Sequence, residues 1–458
     1  MVERNDFQEP SQNINPEKLE RTHVSDLHEH IGEVVKIQGW VSANRDQKRM
    51  KFIVLRDHTG EVQTIIDSEE NKDLASKVSS LTPETALTIV GKLVKNPKVK
   101  LGGIEIQTKE MKVENLSDAP LPINIFGKAE TTSQDIRLDW RFLDLRKPEH
   151  LSIFQIQTTA ERAMRDYWKK EGFIEIHTPK LMGSASETGS ELFSLEYFGK
   201  RAYLAQSPQF YKQMAMSAGF DRVFEIGPVF RANPSFTSRH DTEFTSVDME
   251  MSWINSHEDI MKFEEKWLKH IINNVNKAHS KDIKENFGID LKVPTVPFPR
   301  FTMDQAISTL KKIGYNVPSG TKGDLDPKGE RLLGEYVKKE FDHEFLFVTD
   351  YKTDARPFYH MRYEGKPNIT KSFDLLWKGL EITTGAQREH RYNYLVKQAK
   401  EKGLKLKSIQ FYLDFFKYGC PPHGGLGFGL TRMLMLMLNQ PSVREVTYLY
   451  RGPNRLTP

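Results

Sequence analysis

The chain has 458 residues, 38% hydrophobic and 28% charged, with a formal net charge of +4 at pH 7. That length predicts two or three domains, and so small a charge requires any nucleic-acid signal to be local. The single cysteine, Cys420, excludes a disulfide framework and a thiolate zinc cluster; with no signal-peptide layout at the start and no apolar run near ~18 residues, a cytoplasmic protein without a membrane partner is expected.

Residues 1–21 read as a polar lead-in. Residues 22–117 predict five short strands, Val34–Asn44, Lys51–Arg56, Glu61–Asp67, Ala86–Lys95 and Gly103–Val113, with a helix over Glu70–Leu81 between the third and fourth. That order is the order of an OB-fold barrel, which commonly binds single-stranded nucleic acid. Arg45, Lys48, Arg49 and Lys51 form one basic cluster, and Lys92, Lys95, Lys98 and Lys100 another. Phe52 and Gln63, on neighbouring strands, have the chemistry to stack on and hydrogen-bond an unpaired base. A core aromatic and a solvated lysine rim are the competing readings.

Residues 118–148 read as a hinge, opening on the Pro-bearing SDAPLPIN and ending in RFLDLRKPEH, with a second domain over 149–458. Ile153–Lys170 has helical spacing and precedes GFIEIHTPKL, a glycine stop and a strand; a subunit interface and an ordinary buried helix both suit it. SASETGSELF suits a mobile loop over a site. LAQSPQFYKQ clusters Ser207, Gln209 and Lys212 where a strand enters a helix.

The most informative stretch is Arg222–Trp253, RVFEIGPVFRANPSFTSRHDTEFTSVDMEMSW. Its flanks alternate with a period of two, as strands do, so Val247, Met249 and Met251 share one face and Phe244, Ser246, Asp248 and Glu250 the other. The loop between carries Arg231, Arg239 and His240. A ring to stack on, with guanidinium groups that grip phosphate, suits a nucleotide; a charged, solvated hairpin tip is the alternative. Residues 280–365 alternate helical pieces with Pro/Gly loops and read as an insertion or secondary layer with little chemistry.

In KSFDLLWKGLEITTGAQREH a turn at Lys378-Gly379 puts Asp374 and Glu381 on one face near Thr383 and Thr384, a hard-oxygen set suited to Mg²⁺, with Arg388 following. HGGLGFGLTRMLMLML is a glycine-rich strand entering an apolar helix, where Arg432 calls for an anionic partner. Its spacing is not the dinucleotide fingerprint, and the chain has no Walker A sequence.

Taken together, GFIEIHTPKL, VFEIGPVFR through DMEMSW, and GLGFGLTRML resemble the three motifs of the aspartyl-tRNA synthetases of the archaeal and eukaryotic type. These are class II enzymes with an N-terminal OB-fold, and the resemblance runs from about Arg21 to Pro458. It implies an α+β chain, an OB-fold barrel plus a catalytic domain on an antiparallel sheet flanked by helices, forming a homodimer through the first motif. It implies ATP and L-aspartate as substrates, Mg²⁺ as cofactor, and tRNA(Asp) as acceptor.

Position by position, the resemblance implies Arg231 at the α-phosphate, and Phe244 under adenine with Arg432 on the other face or toward the γ-phosphate. Arg239 and His240 go to the outer phosphates, and Asp374, Glu381 and Thr384 to the metal. Lys212 and Arg388 go to the aspartate side chain, and Ser207, Gln209 and Asp248 to its amino group. Glu187 belongs to a lid, and Phe52 and Gln63 read the anticodon. Asn233 stands where the family has an acid contacting the adenine amino group; its amide oxygen can still accept. Ala386 replaces a glycine beside Arg388. Lys212 and Asp248 argue against the asparaginyl relatives. A synthetase-like protein that binds tRNA without charging it rests on Asn233 alone, and an amidotransferase-like ligase would lack the OB domain. Ser42, where relatives restricted to tRNA(Asp) tend to have Trp, leans toward an enzyme that also charges tRNA(Asn).

Overall fold

A computed structural model describes residues 18–127, 131–184, 191–235, 237–321 and 323–458. The chain divides into two compact units, one to residue 136 and one from 137 on.

The first unit is a closed five-stranded barrel of β1 (Val34–Asp46), β2 (Met50–Asp57), β3 (Gly60–Asp67), β4 (Ala86–Lys95) and β5 (Ile104–Asn115), in the order β1-β2-β3-β5-β4. The helix after β3, Lys72–Val78, is capped by the Asn71 side chain accepting from Leu74 N–H and is shorter than the sequence suggests. Alternation explains the barrel: Ile53, Leu55, Val62 and Ile66 fill its interior, while Phe52, Val54, Gln63 and Ile65 face out. Phe52 pairs with Ile65 and Val54 with Gln63, so Phe52 and Gln63 are diagonal neighbours on one outward face. Phe52 is therefore not a core aromatic. Gln63 donates to Glu105 Oε2 at 3.0 Å.

In the second unit, β6 (Ile174–Glu175) is the edge of the main sheet. A small three-stranded sheet follows: β7 (Leu181–Met182), β8 (Ser194–Tyr197) and β9 (Lys200–Leu204). The main sheet continues with β10 (Arg222–Phe230), β11 (Glu243–Ser252), β12 (Arg300–Thr302) and β13 (Phe345–Thr349). After the β14 (Arg362–Tyr363) and β15 (Lys366–Thr370) ribbon come β16 (Ser372–Trp377), β17 (Leu380–Gln387) and β18 (His423–Gly429). The eight-stranded order is β12-β13-β16-β17-β18-β11-β10-β6, antiparallel except for the β12·β13 and β10·β6 pairs.

One face of this sheet packs on two long helices, Pro148–Lys170 and His257–Phe287. Trp168 stacks on Phe224 (4.3 Å) and on Trp267 (5.0 Å), which meets Phe428 edge-on. The second helix starts with a capping box at Ser256 and Asp259 and ends at Gly288 in the left-handed region. Its apolar stripe, and that of the first helix, are spent on the chain's own core.

Two boundaries differ from the sequence reading. Residues 280–365 are only in part a secondary layer: the helices Met303–Lys312 and Pro327–Phe341 share an apolar cluster apart from the main core, but Phe345–Thr349 is an inner strand of the main sheet, and Arg300–Thr302 is its edge. The second unit also starts before 149. Arg137 reaches Glu445 at 2.7 Å and Arg141 reaches Asp144, both arginines buried, which ties this stretch into the second unit. No helix among the described residues is long and apolar enough to cross a membrane.

Candidate active site

The β10·β11 register pairs Val229 with Phe244 and Phe230 with Glu243, so the intervening loop starts and ends over one face of the sheet. Arg231 N–H donates to Thr242 O (2.9 Å), and the exposed Arg231 guanidinium lies 5.4 Å from the Phe244 ring centroid. Asn233 turns its side-chain oxygen to Ser235 N–H (2.8 Å). Arg239 pairs with Glu330 at 3.0 Å. Burial, reinforced by Arg432, Arg239 and Arg231, holds His240 down to about 4, so its imidazole is neutral at pH 7. Burial pushes the Asp241 carboxyl up to about 7, against the pull of Arg432 and Arg231.

The β16·β17 hairpin carries a bulge between Leu375 and Leu376, which pairs Asp374 with Thr384 and Leu376 with Glu381. Glu381 therefore reaches the same wall as Thr384, whose hydroxyl donates to Glu381 Oε1 at 3.0 Å. Arg432, in the first turn of the Leu430–Met437 helix, donates to Glu381 O at 2.9 Å with its carboxylate at 3.6 Å. Asp374 sits behind this wall: its Oδ2 accepts from Arg356 at 2.5 Å, while the buried Oδ1 has no hydrogen-bond partner. Hard oxygens from Glu381 and Thr384, with the orphaned Asp374 oxygen behind, fit a divalent cation such as Mg²⁺. Asp374 shares the face of Glu381, as the hairpin pattern implied, but it is buried and its Oδ2 is already taken by Arg356, so that face is not a solvated one here.

The buried pole is a closed ion cluster. Lys212, on the Gln209–Ser217 helix, donates to Asp248 Oδ1 (2.8 Å) and Leu426 O (2.9 Å), with Glu250 Oε2 at 3.5 Å. Arg388 donates to Glu250 Oε1 (3.0 Å), Gly425 O (3.0 Å) and His360 Nε2 (3.0 Å). All four charged side chains are no more than 3% exposed except Asp248, whose side chain is 4% exposed. Two cations face two carboxylates, so neither charge is left bare in a low-dielectric site. The β18 glycines make this possible: a Cβ at Gly425 would run into Met249 O and the Glu250 carboxylate. Ser246 donates to the other Asp248 oxygen at 2.5 Å.

These groups converge. A cavity of about 330 Å³ is lined by Ser207, Gln209, Arg231, Asn233, Arg239, His240, Phe244, Asp248, Glu381, Thr384, Arg388 and Arg432. Of the expected site residues, Lys212 and Asp374 stand behind the wall, each engaged by an opposite charge. Glu187 lies outside the described residues, and Phe52 and Gln63 belong to the barrel. The cavity also takes Glu191, Asp241, Arg356, Tyr359 and His360, which the sequence reading passed over. RPFYH (Arg356–His360) was the available signal: an arginine and a histidine among apolar rings need partners.

Comparison with known proteins follows the same division. The family "tRNA synthetases class II (D, K and N)" matches residues 133–451, and an OB-fold nucleic acid binding domain matches residues 35–116. An aspartate–tRNA(Asp) ligase of Thermococcus kodakarensis is 43% identical over 96% of this chain and 100% of its own. An aspartate–tRNA(Asp/Asn) ligase of Aeropyrum pernix is 42% identical over 93% of this chain and 96% of its own. Among solved structures, asparaginyl-tRNA synthetase of Pyrococcus horikoshii, complexed with asparaginyl-adenylate, superposes with a TM-score of 0.87 at 31% identity, covering 96% of this chain and 100% of that one. The aspartyl enzyme of Entamoeba histolytica gives 0.85 at 31%, covering 98% and 95%. Barrel, antiparallel sheet and cation-lined cavity thus occur together over the length of curated relatives, and the chain belongs to the class II tRNA synthetases of the D, K and N group.

Proposed function

We propose that the chain is an ATP-dependent aspartate–tRNA ligase that charges tRNA(Asp), and tRNA(Asn) as well. The observation that carries the amino-acid assignment is Arg388, facing the cavity with Lys212 directly behind the Asp248 wall. An acidic side chain entering there meets cations held in place beforehand. An uncharged asparagine amide would forgo the ionic contact with them, at a cost of roughly 3–5 kcal/mol. The fold does not separate the two amino acids, since solved asparaginyl and aspartyl enzymes superpose on it equally well.

In the first step the aspartate α-carboxylate attacks the α-phosphorus of ATP and pyrophosphate leaves. Negative charge gathers on the phosphorus oxygens, and no protein nucleophile is needed. Arg231 meets the α-phosphate, Phe244 and Arg432 hold the adenine between them, and Arg239 and neutral His240 contact the outer phosphates. Ser207, Gln209 and Asp248 accept from the α-ammonium group. Glu381 and Thr384, with Asp374 behind them, would hold Mg²⁺, which when bound neutralises phosphate charge. Asn233 offers an amide oxygen in place of the family's carboxylate. In the second step the aspartyl group passes to the ribose hydroxyl of the terminal adenosine, while Phe52 and Gln63 on the barrel's outward face read the anticodon.

The broader tRNA scope rests on Ser42 in β1, which donates to Glu61 at 2.6 Å where a restricted enzyme tends to carry Trp, and on relatives of both kinds. A homodimer fits the short edge strand β6, whose Ile174 is 49% exposed, and the exposed Leu181 of the same motif. A lone unpaired cysteine fits a cytoplasmic setting. Purified protein should catalyse aspartate-dependent ATP–pyrophosphate exchange and aspartylate both tRNAs side by side. Exchange with asparagine alone would reject the amino-acid assignment, and no product on tRNA(Asn) would reject the wider scope.

A further inference from the structure

Gln209 is useful to an ammonium group only if its amide oxygen, and not its NH₂, faces the cavity. A side-chain amide is nearly symmetric in shape, so packing alone does not choose between the two. Behind Gln209 lies a buried chain of hydrogen bonds in which the choice is made.

The chain starts at a backbone carbonyl. His423 Nδ1 lies 2.8 Å from Pro421 O, and a carbonyl only accepts, so Nδ1 carries the proton. The ring is fully buried, and burial pushes it down to about 4, so it is neutral and Nε2 is an acceptor. Gln213 Nε2 sits 2.9 Å from that Nε2 and donates to it. Gln213 Oε1 therefore points the other way, where it accepts from Gln209 Nε2 (2.8 Å) and Tyr412 Oη (2.9 Å). With its NH₂ committed inward, Gln209 turns Oε1 outward. Each alternative orientation sets two acceptors or two donors against each other somewhere along the chain. Gln213 and Tyr412 are 0% exposed, and Tyr412 is clamped by Phe210 at 4.1 Å.

We infer that His423, Gln213 and Tyr412 are positioning residues that lock the Gln209 amide oxygen toward the cavity, and so set the affinity for the α-ammonium group of the amino-acid substrate. This rests on the proposed reading in which Gln209 meets that ammonium. None of the three needs to touch substrate. The effect is confined to the amino-acid side of the reaction, because the nucleotide groups hang from other elements.

The test is steady-state exchange kinetics on the full chain with Gln213→Met, Gln213→Glu, Gln209→Met and the Gln209→Met/Gln213→Met double variant. Gln213→Met removes the acceptor and should raise KM for aspartate about ten-fold, with KM for ATP unchanged within two-fold, as expected for one lost bond to a charged group. Gln213→Glu, held protonated by burial, donates its O–H to His423 Nε2 and keeps its other oxygen facing Gln209, and should stay within about three-fold of wild type. In the Gln209→Met background the Gln213→Met change should add nothing. A parallel rise in KM for ATP, equal damage by Met and Glu, or an undiminished effect in that background overturns the relay. If Gln213→Met fails to fold, ¹⁵N-histidine spectra of the wild-type chain decide: the Nδ1–H tautomer of His423 is required, and the Nε2–H tautomer overturns it. Wild-type protein with no aspartate-dependent exchange would instead sink the proposed function, a distinct outcome.

Discussion

The two ends of the cavity use cations in opposite ways. At the end proposed for aspartate, Lys212 and Arg388 are buried, each tied to a carboxylate and a backbone carbonyl. At the end proposed for ATP, Arg231 is exposed over the Phe244 ring and Arg239 shares a part-buried pair with Glu330. A small amino acid has few atoms, and one charge must distinguish it from its amide; a dry, pre-neutralised and rigid pocket makes that charge count. A triphosphate has charge to spare and is gripped by side chains that are free to close on it. On the proposed reading, discrimination belongs to the first end and loose capture to the second.

The largest expected effect is at the buried end. Arg388→Met leaves Glu250, at 0% exposure, facing Lys212 alone. Stability should fall by about 3–5 kcal/mol and aspartate-dependent exchange by about 10²–10³-fold, read by urea unfolding and exchange rate. Arg231→Ala should also lower kcat, by about 10²–10³-fold, yet move stability by less than about 1 kcal/mol. If Arg231→Ala were as destabilising as Arg388→Met, the contrast between the two ends would be false. A milder probe is salt. Raising ionic strength from about 0.05 to about 0.5 M should increase KM for ATP several-fold and leave KM for aspartate nearly unchanged, because exposed charges are screened and buried ones much less.

The same contrast governs what could be read before the structure. The two hairpins were legible because alternation and a charged tip survive in one dimension, and the barrel because its strand order is local. What escaped depended on distance or on a single inserted residue. Arg137 and Arg141 look like a polar linker until Glu445, some 300 residues later, is placed beside them. The bulge between Leu375 and Leu376 puts Thr384, not Thr383, opposite Asp374 and so on the face of Glu381, and no composition signal announces it. Phe345–Thr349 is apolar at its first four positions and buried at all five, so it shows no alternation, and its burial inside the sheet appears only when β16 pairs with it. Arg356, Tyr359 and His360 entered the cavity on the coil that follows that missed strand.

The smallest effect on turnover, and the sharpest test of pairing against mere burial, is at Glu264. Like Glu250 it is 0% exposed, but no cation among the described residues answers it: Thr383 Oγ1 donates to its Oε1 at 2.6 Å, and Oε2 has no partner among them. Burial pushes its carboxyl up to about 8, with Glu265 and Asp374 adding to the rise against the Thr383 hydrogen bond. The sign follows from proton counts. Between the ordinary glutamate range near 4.5 and about 8, the unfolded chain has lost a proton that the folded chain keeps. Stability contributed by this group is therefore complete below about 4.5, falls as pH rises, and levels off above about 8. Glu264→Gln keeps the acceptor for Thr383 and removes the titration. Its stability should match wild type at pH 4.5 and exceed it by about 1–3 kcal/mol at pH 8, with kcat unchanged because Glu264 lies on the helix side of the sheet, away from the cavity wall. Denaturant unfolding at the two pH values measures the gap. A gap that is constant with pH would mean that Glu264 is ionised in the folded chain, and that burial without a cation is tolerated here as readily as the paired arrangement at Glu250.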